Sequence, residues 1–262
     1  MMFDSYTVML DKPEGKTIAG GAIYWVIYII VFPFILSVLA SSGFQLPNVS
    51  INSILVFFFY AVNFLAVGAM FRPYLLESFF NVRCYPKRFF SAVAVASGII
   101  LFVEYLFVIG SLAYHLDEIY IATDNLLPII ELPLLLSGSL TLLELPVLGI
   151  LCITVFVPIT MCCLYYSVIF APIAADRPRL AYLALLLLAA LPRLTALGNT
   201  GYPLHQLAVY IMQVPWHLCA CWAYRKADTI WAPIAVYTVV NLLSGLLLLV
   251  VYYLFYHFPV TI

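Results

Sequence analysis

Charge is what this chain has least of. Lys, Arg, Asp and Glu together make up 9% of its 262 residues, against about 25% in an ordinary water-soluble domain. So few ionic side chains cannot cover a globular surface, which excludes a soluble enzyme and a disordered regulator. Eleven Lys and Arg against twelve Asp and Glu leave a net charge of -1. The basic footprint that nucleic-acid binding needs is therefore missing, and nucleic acid is not an expected partner. The twelve glycines are scattered, so there is no loop to cradle a phosphate, and neither an HExxH zinc helix nor a Gly-x-Ser-x-Gly elbow occurs. The six cysteines make no disulfide framework: Cys152, Cys162, Cys163, Cys219 and Cys221 sit in apolar runs, where Cys acts as a small hydrophobe, and Cys84 sits in a basic segment. No removable leader is expected. Asp4, Asp11, Lys12, Glu14 and Lys16 precede the first apolar run, which ends without a small-residue cleavage pattern and is expected to stay as a span.

What the chain does have is apolar length. Hydrophobic residues make up 66% of it and the mean hydropathy is +1.11. A membrane-crossing helix needs about 20 apolar residues. Seven runs qualify, near 20–41, 51–71, 90–114, 145–171, 181–198, 204–224 and 231–255. With the N-terminus in the cytoplasm, ten of the eleven basic residues fall on the cytoplasmic side: Lys12, Lys16, Arg72, Arg83, Lys87, Arg88, Arg177, Arg179, Arg225 and Lys226. The opposite loops hold Asp117, Glu118 and Asp124. This asymmetry orients the chain and puts the C-terminus outside. Residues 119–144 could also span by length, but crossing there would invert every later loop. With Asp124, Pro128, Glu131, Pro133 and Glu144, that stretch is expected to be re-entrant or to lie in the outer interface. The longest polar segment, 72–88, is expected as a basic cytoplasmic loop. The fold class is all-α: a single polytopic transmembrane bundle, integral to the cell membrane and in contact with lipid. A barrel would show alternating ten-residue strands instead of long apolar runs.

Few residues in the spans could carry chemistry. Glu104 and Arg193 both lie about 20 Å from the cytoplasmic side at helical rise. Equal depth suits a buried ion pair, while separate snorkelling to the outer interface is the alternative. His115, His205 and His257 fall at expected helix ends. His217 and Cys221 share a face of span 6, as two zinc ligands would, but spacing supplies no third, and a packed helix face is the better reading. Pro158, Pro192, Pro215 and Pro233 interrupt spans 4 to 7; they are ordinary kinks or the walls of a cavity.

The last 110 residues resemble one family, the CPBP intramembrane metalloproteases, which include CAAX-processing and bacteriocin-related proteins. The segment YRKADTIWAPIAVYTVVN, Tyr224 to Asn241, resembles the family's Tyr-x-x-Thr-x-Ser-Ile-Trp-Ala-Pro-Ile stretch followed by His-x-x-x-Asn. VPITMCCLYYSVIF, Val157 to Phe170, is similar to the region of Pro-Ile-Ala-Glu-Glu-x-x-x-Arg. There Met161 and Cys162 stand in place of the paired glutamates and Tyr166 in place of the arginine. ALLLLAALPRLTALG, Ala184 to Gly198, resembles the Phe-x-x-x-His region, with Leu191 and Thr195 at those positions. Tyr237 replaces the last histidine, and only Asn241 keeps its type.

The resemblance implies the fold and argues against the activity, since family members use the glutamates and histidines to hold a metal and activate water. A catalytic metal needs about three protein ligands and an open position, and a general base must accept a proton. Met161, Thr195, Tyr237 and Asn241 meet neither need. No metal or other cofactor is expected. The leading expectation is an inactive relative that binds a membrane protein, a peptide or a lipid-like tail between spans 4, 5 and 7. Tyr165, Tyr166, Tyr224 and Tyr237 would supply apolar faces with one hydroxyl each, although interfacial aromatic belts account for many such residues. A membrane peptidase with a displaced metal site at Cys162, His217 and Cys221 is one alternative. A small transporter or permease subunit with Glu104 and Arg193 on its path is the other.

Overall fold

The computed structural model describes residues 12–31, 49–113, 146–197 and 203–257. Among them every regular element is a helix and there is no strand. Helix α1 runs Gly15–Val26 and continues as a π-helical stretch, Ile27–Val31. Helices α2 and α3 are Val49–Cys84 and Pro86–Ala113. Helix α4 occupies residues 146–174 and changes its winding twice: π-helical stretches at Cys152–Phe156 and Cys163–Phe170 interrupt an otherwise α-helical rod. Helices α5, α6 and α7 are Pro178–Leu197, Pro203–Ala227 and Trp231–His257. A helix stands at the place of each of the seven expected spans. Three stretches, Phe57–Cys84, Pro86–Leu106 and Val147–Ala174, are long and apolar enough to cross a membrane. The segment 119–144 lies outside the described residues.

One boundary differs from expectation. Residues 72–88 are not a loop: α2 continues to Cys84, only Tyr85 interrupts the winding, and Pro86 opens α3. Pro73 lies inside α2 and leaves a carbonyl one turn back without its N–H partner. Beyond it, Tyr74, Leu75 and Ser78 form a buried helical stripe while Leu76, Phe80 and Arg83 face outward. The buried stripe carries the helix on; a count of charges alone could not see it.

Helix α4 is central. Every residue from 162 to 171 is buried, as expected for a helix that is apolar all round. Helix α1 packs along its second π-helical stretch. Gly21 permits the approach: a Cβ there would lie 2.6 Å from Val168 Cγ2 and 2.8 Å from Phe71 Cζ. Helices α3 and α6 pack against each other over a long stretch. Their buried stripes include Ala92 and Ala96 on α3 and Ala220, Ala223 and Ala227 on α6. Small residues let helix backbones come close where lipid gives little hydrophobic drive for association.

The α6–α7 turn is pinned to the end of α2. Asp228 takes a left-handed conformation, φ 54°, which Asp tolerates better than most residues. Asn81 donates to the Asp228 carbonyl at 2.8 Å. The Ser78 and Thr229 hydroxyls are 2.9 Å apart, and Trp231 Nε1 donates to the Leu75 carbonyl at 2.8 Å. The TIWAPI segment thus enters α7 through a side-chain-braced turn, with Pro233 in the first helical turn, where a missing N–H costs nothing.

Candidate functional site

The α4 and α7 residues singled out by the resemblance come together. Tyr166, on the second π-helical stretch of α4, is 1% exposed. Its hydroxyl lies 2.9 Å from the Tyr237 hydroxyl on α7 and 3.1 Å from His217 Nδ1 on α6. A hydroxyl has one proton, so the chain runs either Tyr237 to Tyr166 to His217, with Nδ1 accepting, or in reverse, with Nδ1 donating. Trp216, the neighbour of His217, packs its ring on Tyr237 with centroids 4.9 Å apart. Trp216 Nε1 also donates to Glu104 Oε1 at 2.8 Å, and Ser244 Oγ donates to Oε2 at 3.3 Å. A polar seam therefore runs from α3 through α6 to α4 and α7. Such seams are favoured in membranes because unpartnered polar groups there have no water to turn to.

Asn241 and its neighbour Thr238 have a separate task. Pro158 offers no N–H to the carbonyls one turn back, those of Thr154 in α-helical register and Ile153 in π-helical register. Helix α7 supplies a donor to each of these carbonyls. Thr238 Oγ1 donates to the Thr154 carbonyl and Asn241 Nδ2 to the Ile153 carbonyl, each at 2.7 Å. Replacing Asn241 by leucine should therefore destabilise the protein by about 1–2 kcal/mol, the cost of a buried carbonyl left unmet. Pro158→Ala restores an N–H at that point and should offset part of the loss. A double-mutant cycle on reversible unfolding in mixed micelles measures this coupling. Strictly additive effects of the two substitutions would show that the proline and the asparagine are not linked.

Met161 is partly buried and Cys162 fully so, both packed in the same core. The side chains of Leu191, Arg193 and Thr195 lie outside the described residues, so the two matched positions of the third region and the Glu104–Arg193 pair do too. The donor set does not fit a metal. A thioether, a thiol, a phenol and an amide stand at the matched positions, and among the described residues no three His, Cys, Asp or Glu side chains are grouped as ligands. Cys162, His217 and Cys221 are all described and are not grouped as a displaced metal site. The arrangement is a hydrogen-bonded junction of four helices.

Sequence reasoning missed two participants. Trp216 was not singled out, although an indole N–H inside a span needs an acceptor and Glu104 was one of the few available. Thr238 was missed because the freed carbonyls behind Pro158 were not matched to donors on another helix. Comparison with family models, with curated proteins and with solved structures finds no match to this chain.

Proposed function

We propose that this chain is a catalytically inactive, CPBP-like integral membrane protein of seven spans that serves as a scaffold or binding subunit for a membrane partner, a peptide or a lipid-like ligand. One observation carries the reading: Tyr166 and Tyr237, at positions where the family resemblance expects arginine and histidine, share a hydrogen bond 2.9 Å long in the core. Side chains far apart in sequence meet in the core, and they are of types that pack and hydrogen-bond. Glu104 fits the same picture, since each carboxylate oxygen accepts a donor from a different helix. The test is the metal content of the full chain purified in mild detergent without chelators. No zinc above background, together with stable co-purification of a defined membrane partner, supports the reading. Zinc at about one per chain would overturn it in favour of an active peptidase.

The proposal includes the orientation set by the basic residues, with the N-terminus and the α2–α3 corner in the cytoplasm of a cell whose plasma membrane holds the protein. Cys84 is the only exposed cysteine of the six; Cys219 is half-buried and the others are buried. A membrane-impermeant maleimide should therefore leave intact cells nearly unlabelled and modify Cys84 once they are permeabilised, with Cys84→Ser removing most of the signal. Labelling of Cys84 in intact cells would invert the topology.

A further inference from the structure

We infer that the corner between α2 and α3 is a binding surface for anionic phospholipid headgroups. This rests on α2 and α3 lying in a bilayer and is independent of the inactive-protease reading. Helix α2 has 36 residues, about 54 Å at helical rise, against a hydrocarbon core of about 30 Å. The stretches of α2 and α3 that can cross, Phe57–Cys84 and Pro86–Leu106, meet on either side of Tyr85, so Tyr85 sits at a membrane face. Aromatic and basic side chains alternate outward there. Phe80, Tyr85 and Phe90 are 66%, 60% and 65% exposed, and Arg83 and Lys87 are exposed between them. Large aromatic rings are favoured at headgroup level, and cations beside them match the anionic lipid surface.

Two features distinguish this corner from an ordinary solvated charge run. It is held in shape from behind: Arg88 Nε donates to the Lys226 carbonyl and Asn81 to that of Asp228. Arg83 is also set over the Phe79 ring, 5.1 Å from its centroid, which fixes the cation beside the apolar face. Residues 72–90 carry four cations, Arg72, Arg83, Lys87 and Arg88, against the single carboxylate of Glu77. The occupant is therefore an anion with an apolar tail, and a phospholipid with a net negative headgroup combines the two.

The test uses the full chain reconstituted in nanodiscs of mixed phosphatidylcholine and phosphatidylglycerol, extracted into mild detergent and examined by native mass spectrometry for retained lipid. The wild-type chain should retain phosphatidylglycerol in preference to phosphatidylcholine. Arg83→Gln with Lys87→Gln should weaken that retention by about fivefold for each charge removed. Arg177→Gln with Arg179→Gln, on the connection between α4 and α5, should leave it unchanged. Raising the salt from about 50 to about 500 mM should strip the lipid from the wild-type chain, as for a screened surface contact, and this measurement needs no folded variant. Equal retention of the two lipids by the wild-type chain would overturn the inference. So would an equal loss from both double variants, or an acidic protein found at the corner in place of lipid.

Discussion

Tyr166→Ala is expected to be the most damaging single substitution in the described core, costing about 3–5 kcal/mol. Tyr166 is among the largest fully buried side chains, and it lies on central helix α4 in hydrogen-bonding contact with α6 and α7. Truncation opens a large cavity and also leaves His217 Nδ1 and the Tyr237 hydroxyl without their shared partner. Tyr166→Phe keeps the ring and loses only the hydroxyl, so it should cost about 1 kcal/mol, the usual net worth of such a hydrogen bond. Reversible unfolding of the full chain in mixed micelles gives both values. A Tyr166→Ala cost no greater than that of Tyr166→Phe would mean that the three-helix junction does not hold the bundle together.

The second large effect is a gain. Met161→Glu, Cys162→Glu, Thr195→His and Tyr237→His, introduced together, restore the groups that the family resemblance implies. Two carboxylates in a packed core are costly unless a cation compensates them. The quadruple variant should therefore be strongly destabilised without metal and recover on adding zinc, with about one ion bound per chain. The wild-type chain should show no zinc-dependent change. Equilibrium dialysis with metal analysis, alongside thermal unfolding with and without zinc, reads both sides of the expectation. Because Leu191 is the other position in the third region, a variant with Leu191→His in place of Thr195→His is its companion. Failure of both to bind zinc would remove the structural basis for the CPBP-like reading and leave the lipid-binding corner as it stands.

The family resemblance sets Tyr166 and Tyr237 at one site, and their hydroxyls lie 2.9 Å apart in the structure. A helix places residues at a calculable depth, and two helices of one bundle share a depth scale. What spacing could not supply was rotation about each helix axis. His217 and Cys221 share a face of α6, and that face is packed in the core; the sequence does not show that His217 Nδ1 meets Tyr166 from α4. Rotation is decided by packing between helices, and the sequence of one helix carries only a weak record of it.

The sequence by itself determined that the chain is helical, with stretches long and apolar enough to cross a membrane, because runs this apolar with so little charge favour helices, which satisfy their own backbone polar groups. It also determined where helices stand, since each expected span has a helix at its place. The tertiary structure alone decided where α2 ends. Residues 72–84 look polar, yet they stay helical because Tyr74 meets Tyr224 near the end of α6, Ser78 meets Thr229 in the α6–α7 turn and Leu75 meets Trp231 at the start of α7. The tertiary structure alone also decided what Pro158 means. By its own chemistry a proline takes away one donor; only the arrival of Thr238 and Asn241 from a helix about 80 residues later turns that deficit into a joint between α4 and α7. Local sequence states which hydrogen-bonding groups are left over, and three-dimensional packing states which of them meet.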